Sequence, residues 1–345
     1  MDYRKIIRLK NLELAWRRLN TGSNLQYKQF FRPLYFAYEA GLASNLKDLH
    51  KKLKRNVWCA SEPLRTYLPK PSGLQRPITL LHLEDQIVYQ AVVNEIAEKV
   101  RKRRKELELK WVFSNILCDD NDSIFFLHRW QNTYTIFQNE CKKHFLNGYR
   151  WINHFDLSAY YDTISHVHLI NIINPRNGFQ ETSKIFREWL EIWTKCDGIS
   201  ATNHGIPQGP IASDFLAEIF FLPIDQRLKK LTVRYVRYVD DIRIFGRTSS
   251  DVQRAAIELE QACRESGLIP QDRKYAIKKA KSLSDAMGLL PSLPPQGEEK
   301  PDSLKREQAE SLFEEGVGGN PIRCNDKTRL RYVLYRAPVS QKILR

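Results

Sequence analysis

Asp240 and Asp241 stand side by side between two short runs of β-formers, Val233 to Tyr238 and Ile242 to Phe245. Such alternation predicts a β-hairpin with the acidic pair near its turn. Adjacent carboxylates repel one another and favour no core. A divalent cation removes that repulsion. A solvent-exposed Asp-Asp turn has the same signature, so the pair decides nothing alone. A second carboxylate sharpens it. Residues 149–157 read as a strand ending on a carboxylate, Asp156. Two-metal phosphoryl transfer needs ions roughly 3.5–4 Å apart, bridging the attacking and leaving oxygens. One pair of neighbouring aspartates cannot hold both ions. Carboxylates from two separate strands fit that chemistry.

Two further segments carry chemistry only in company. Residues 204–210 read His-Gly-Ile-Pro-Gln-Gly-Pro, between the two acidic segments and directly before a predicted helix. Gly205 and Gly209 permit close backbone approach, and Pro207 and Pro210 stiffen the turn. Gln208 is then placed to touch a template or an incoming nucleotide. Arg65, Lys70 and Arg76 surround Gly73 in a basic turn. Guanidinium and ammonium groups there suit a triphosphate tail. A basic surface turn would look the same.

The elements that must position these residues follow from periodicity. Residues 3–19 predict an amphipathic helix, and 25–55 are helical again. Residues 64–80 predict two short strands joined by a Pro/Gly turn. A helix follows over 83–98, with Ile87, Val88, Ala91, Val92 and Ile96 on its apolar side. Residues 99–110 carry charges of both signs and predict a solvated helix or loop. Helices are predicted over 183–196, over 210–222 with Pro223 at an end or bend, and over 251–266. The stretch Phe215 to Ile224 is apolar except for Glu218 and is too short to span a bilayer. A short strand begins at Tyr275. Residues 291–301, with four prolines, predict a linker, and 302–315 and 326–337 two terminal helices.

Composition bounds the class. The chain has 345 residues, 55 Lys and Arg against 40 Asp and Glu, and a formal charge of +15. A surplus of that size points to a polyanionic partner, nucleic acid first. The six cysteines form no C-x-x-C pair, which excludes a zinc ribbon or a redox motif of that type. His166 and His168 lack acidic or cysteine partners at ligand spacing and read as structural or surface histidines. The N-terminus lacks an apolar signal region. The expectation is a cytoplasmic protein with no membrane partner.

Taken in order, these segments resemble the reverse-transcriptase family. Tyr238-Val239-Asp240-Asp241 resembles its Y-x-D-D box, and Phe155-Asp156 with the residues through Asp162 resembles its first acidic motif. Gly205 to Pro210 resembles the template grip. Pro69 to Ile78, then Asp85 to Gln90, resembles the fingers. Gly267 to Lys274 resembles the later lysine motif, and Met287-Gly288-Leu289 the primer grip. The resemblance covers about residues 60–290. It implies an α+β, right-hand polymerase fold: N-terminal helices and fingers over 1–148, an antiparallel palm over 149–290, and a linker with a short helical thumb-like tail over 291–345.

It also implies roles. Asp156 and Asp240 bind two Mg2+ ions, Mn2+ being a substitute, with Asp241 assisting and Leu157 offering its main-chain carbonyl. Lys70 and Arg76 contact the triphosphate, Gln208 supports nucleotide or template, and Lys274 acts near the leaving pyrophosphate. Gly205, Pro207, Gly209 and Tyr238 line the template and primer. Tyr161, five residues after Asp156, occupies the place of the aromatic that blocks a ribose 2′-OH, with Tyr160 as the neighbouring alternative. The activity implied is RNA-directed DNA synthesis from dNTPs, with RNA template and DNA product as partners. Residues 83–94 resemble bacterial abortive-infection and unknown-group reverse transcriptases, which implies antiphage defence with a noncoding RNA. Only about 45 residues follow the linker. A partner protein, a second copy or bound RNA is therefore expected to complete the thumb. Two other readings stay open: template-independent or protein-primed terminal synthesis by the same site, and a non-catalytic nucleic-acid scaffold.

Overall fold

The computed structural model describes residues 1–21, 25–69, 74–175, 181–195, 202–271, 276–288, 317–318 and 323–324. The chain divides into two compact units. One comprises Met1–Thr66 and Pro77–Gly288, the other Tyr67–Arg76 and Leu289–Arg345.

The first unit opens with α1 (Tyr3–Ile6) and α2 (Leu9–Asn20) in place of one continuous helix. At the break, the Asn11 amide donates to the Ile6 carbonyl at 2.9 Å, satisfying a group the interrupted ladder leaves open. Three helices follow: α3 (Leu25–Lys28), α4 (Arg32–Ala40) and α5 (Leu42–Lys54). The expected strand pair is β1 (Leu64–Pro69) and β2 (Gln75–Leu80), of which Leu64–Thr66 and Pro77–Leu80 belong to this unit. Helix α6 (Leu83–Lys105) buries Ile87, Val88, Ala91, Val92 and Ile96, as its periodicity predicts. It also runs past Glu98, and Arg104 is fully buried rather than solvated. Mixed charge there marks a buried ion network, because one cation of the run faces Glu218 across the core.

Helix α7 (Trp130–Leu146) leads into β3 (Trp151–Phe155), β4 (Leu157–Ser158) and α8 (Tyr160–Thr163). Then come α9 (His166–Ile173), α10 (Glu181–Trp193), α11 (Ile211–Leu228), β5 (Arg234–Tyr238) and β6 (Asp241–Gly246). The unit closes with α12 (Ser249–Glu265), β7 (Ile269–Pro270), β8 (Ala276–Lys279) and α13 (Leu283–Met287). Helix α11 continues through Pro223, whose ring is exposed at the helix surface.

The sheet has the order β5-β6-β3-β8, every pair antiparallel. Alternate side chains of a strand face opposite ways. Tyr235 and Arg237 meet Asp225 on α11, whereas Tyr238 and Phe245 meet aromatic rings of α7. The sheet is thus covered on both faces, which is why successive residues of β5 and β6 are buried, Arg237 and Arg243 among them. Residues 111–113 lie along edge strand β5, with Arg237 N–H donating to the Trp111 carbonyl and Phe113 N–H to that of Arg237. In the second unit, β9 (Val317–Gly318) pairs antiparallel with β10 (Arg323–Cys324), which nothing in the sequence patterning suggested. The predicted linker and terminal helices, 291–301, 302–315 and 326–337, lie outside the described residues.

Candidate active site

The two acidic segments meet at one end of the sheet. Strand β3 pairs with β6 so that Phe155 lies opposite Ile242. The next residue along β3 is Asp156, and the preceding one on β6 is Asp241. Strands β5 and β6 close at Tyr238 opposite Asp241, leaving Val239 and Asp240 as a two-residue turn. All three aspartates are half-buried.

Backbone hydrogen bonds shape the Asp156 end. Its side chain accepts from Leu157 N–H at 2.9 Å, and its carbonyl accepts from Gln271 N–H at 2.9 Å. Leu157 then faces Pro270 in the β4–β7 pair. The Gln271 bond makes that a non-hydrogen-bonded pair, whose carbonyls point away from the partner strand. The Leu157 carbonyl is therefore turned from β7 and available as an oxygen donor.

The neighbouring aspartates of the hairpin have different surroundings. Asp241 pairs with Arg243 two residues along the same face, at 3.2 Å. Arg243 also donates to the Met287 carbonyl at 2.8 Å, so it links Asp241 to the expected primer-grip residues. The charge of Asp240 is felt instead by the Tyr161 phenol. Burial first, then Asp214, raises that phenol well above its ordinary pKa, so Tyr161 keeps its proton. It donates to Asp214 Oδ1 on α11 at 2.8 Å. Burial, only partly offset by this bond, pushes the Asp214 carboxyl up to about 7. Tyr160 differs from its neighbour. It is buried, and its hydroxyl donates to the Ala217 carbonyl at 2.5 Å.

The glycine-rich loop lies against the segment that follows Asp156. Gly205 N–H donates to the Ile164 carbonyl at 2.7 Å and Ile206 N–H to that of Tyr161 at 2.9 Å. His166 Nε2 lies 2.6 Å from the Gly205 carbonyl, and burial lowers its pKa to about 4, so the ring is neutral and its role structural. Gly205 and Gly209 have φ of +92° and +131°. At Gly209 a Cβ would sit 2.6 Å from the Tyr27 ring. Both glycines are thus required by conformation or by contact. The Gln208 carbonyl accepts from Thr79 N–H at 2.8 Å, joining the loop to β2. Tyr238 rests edge-on against Tyr134, ring centroids 5.0 Å apart, and donates to the Trp130 carbonyl.

The sheet and loop therefore bring together Asp156, Leu157, Tyr161, Asp240 and Asp241, with Gly205 to Gly209 bonded alongside Tyr161. Arg76 is exposed and belongs to the unit of Tyr67–Arg76 and Leu289–Arg345. Lys70 and Lys274 lie outside the described residues. Among the described residues, no three His, Cys, Asp or Glu side chains are gathered closely enough to cage a metal by themselves. Mg2+ does not need such a cage. It takes one or two carboxylates and completes its shell with water and phosphate oxygens. Asp156, Asp240 and the Leu157 carbonyl fit that donor set.

Sequence reasoning missed a buried ion network beneath the turn: Arg104, Ser114, Glu218, Asp225 and Arg237. It also missed Asp214 and Arg243. A signal existed for part of it. Glu218 interrupts an apolar helical run, and Arg237 occupies a strand position between core residues. Charges at positions that periodicity assigns to the core are expected to be paired.

A carboxylate-bearing strand end beside an acidic hairpin, on an antiparallel sheet backed by helices, defines a polymerase palm. The chain matches the reverse transcriptase (RNA-dependent DNA polymerase) family over residues 68–288 and belongs to it. Its architecture is the right-hand polymerase fold of that family. Among curated proteins, it is 27% identical over 192 residues to a putative COX1/OXI3 intron 2 protein of Saccharomyces cerevisiae, covering 54% of this chain and 20% of that one. It is 25% identical over 192 residues to protein YkfC of Escherichia coli, covering 55% of this chain and 47% of that one. The chain thus spans less than half the length of these relatives. Among solved structures, apo telomerase from Candida tropicalis superimposes with a TM-score of 0.45 at 10% identity, covering 64% of this chain and 45% of that one. Telomerase from Candida albicans, in complex with a TWJ fragment of telomeric RNA, gives 0.43 at 12% identity, covering 64% and 42%.

Proposed function

We propose that the chain is an RNA-directed DNA polymerase that extends a primer with dNTPs. The observation that carries this reading is the register of β3 on β6, which sets Asp156 beside Asp241 and one residue from Asp240. Asp156, Asp240 and the Leu157 carbonyl would hold Mg2+, with Mn2+ as substitute. Bound there, two such ions supply a Lewis acid to the attacking hydroxyl and the departing pyrophosphate. Asp241, paired with Arg243, assists by fixing the hairpin. Tyr161, anchored through its hydroxyl, is the barrier to a 2′-OH. Gln208, Gly205, Pro207, Gly209 and Tyr238 support template, primer and nucleotide. Lys70, Arg76 and Lys274 neutralise the triphosphate and the leaving group. The net charge of +15 suits an RNA template and a DNA product. Fingers over 1–148, palm over 149–290 and a thumb-like tail over 291–345 are the corresponding division.

The sequence of residues 83–94 supports a finer reading: antiphage defence together with a noncoding RNA. The test of the central reading is the sequence of the product. Purified protein is given a primed RNA of defined sequence, dNTPs and Mg2+. DNA complementary to the RNA is the expected product. Random or homopolymeric DNA would replace copying by terminal transfer, and no DNA with either Mg2+ or Mn2+ would leave only a scaffold.

A further inference from the structure

The turn that carries Asp240 is strained. Two-residue hairpin turns that match the strand twist need positive φ at their first central residue, a place for Gly or Asn. Here that residue is Val239, at φ +56°. A β-branched side chain in the left-handed region is a genuine outlier and persists only where its surroundings enforce it.

The surroundings do so through both of its backbone groups. Val239 N–H donates to Ser114 Oγ at 2.8 Å, and the Val239 carbonyl accepts from Arg237 Nη1 at 2.9 Å. Glu218, on α11, holds both of those partners. It accepts the Ser114 hydroxyl on Oε1 and Arg237 Nη2 on Oε2, the latter at 2.8 Å. Arg104 donates to Glu218 Oε2 at 3.0 Å and to the Ser114 carbonyl at 2.8 Å. Asp225 grips Arg237 from the other side at 2.7 and 2.9 Å. Ser114, Glu218, Asp225, Arg104 and Arg237 are all fully buried. Burial raises the Glu218 carboxyl, but Arg237 and Arg104 outweigh it and hold it below its usual value. Every charge in the cluster is hydrogen-bonded, so the network is rigid and not a liability.

We propose that Ser114, Arg237 and Glu218 form a buried cradle that holds Val239 left-handed and thereby fixes the main chain of Asp240 for metal binding. They are positioning residues, since they act through the turn and touch neither metal nor substrate. The inference rests on the reading of Asp240 as a metal-holding residue.

The experiment measures, for the full chain, Mn2+ binding by electron paramagnetic resonance without substrate, and steady-state incorporation against Mg2+ concentration. Ser114→Ala removes the acceptor for Val239 N–H while Asn115 remains on Glu218 Oε1. Outer-shell partners of this kind change metal affinity or activity about 10–100-fold. About a tenfold higher Mg2+ requirement, a lower rate, or both, is expected. Adding Val239→Gly should restore Ser114→Ala, because glycine occupies the left-handed region without help. A merely structural role for Ser114 would not be rescued by removing the Val239 side chain. Ser114→Cys fills the same space with a weak acceptor and serves if the alanine variant does not fold. Parental rate and Mg2+ dependence in the Ser114 variants, or no rescue by Val239→Gly, overturns the cradle. Retained activity in Asp240→Asn overturns instead the metal reading beneath it.

Discussion

Tyr160 and Tyr161 are adjacent, chemically identical, and separated by their surroundings. The sequence places an aromatic gate at one of them without distinguishing which. In the fold both hydroxyls bond to α11, but Tyr160 is buried, whereas Tyr161 is half-buried and feels the charge of Asp240. Tyr161→Val should therefore raise ribonucleotide incorporation relative to deoxyribonucleotide by at least about tenfold, as expected when a contact worth 1–3 kcal/mol is removed. Competing dNTP and rNTP in single-nucleotide extension measures this, and unchanged discrimination would transfer the gate to Tyr160. The same contrast separates Asp240 from Asp241. Spacing made them a pair, and the fold gives Asp241 to Arg243. Lys70 was legible as part of a basic turn, whereas Lys274 was legible only as a motif member.

Among the elements, strands and helices around the site lie where the periodicity places them, although α6 runs past its predicted end and is buried on every face from Asp85 to Ala97. The β5–β6 hairpin, β3 and α6 are all where alternation or the 3.6-residue period places them. What periodicity could not convey is which charges go inside. The run 99–110 looked solvated, yet Arg104 is buried, since an arginine pays for entry through partners supplied by distant segments. Half-buried Asp214, on α11, is a charge of another kind, joining that helix to α8 through Tyr161. Its carboxyl titrates near 7 in the folded protein and at its ordinary value of 3.8 when unfolded. Between those values the folded state binds the extra proton, so stability falls as pH rises through that window and levels off above it. Asp214→Asn keeps an acceptor for Tyr161 and removes the titration. Relative to the parent, its Tm should rise by several degrees on going from about pH 4 to about pH 8. Thermal unfolding at both pH values checks this, and a constant difference would refute the raised Asp214 carboxyl.

At the scale of the whole molecule, net charge and the order of motifs indicated a nucleic-acid polymerase, and membership of the reverse transcriptase family agrees. Among the described residues, no helix is long and apolar enough to cross a membrane. The sequence showed the acidic segments but not their juxtaposition, because strand register depends on pairing between residues some ninety positions apart. The central claim is that this juxtaposition carries nucleotide transfer. Its most direct test is Asp240→Asn in primer extension on RNA, with the folded state verified by cooperative unfolding. Losing a metal contact worth several kcal/mol should lower incorporation by on the order of 10³-fold, with unfolding little changed. Incorporation at the parental rate by a folded Asp240→Asn protein would contradict the account.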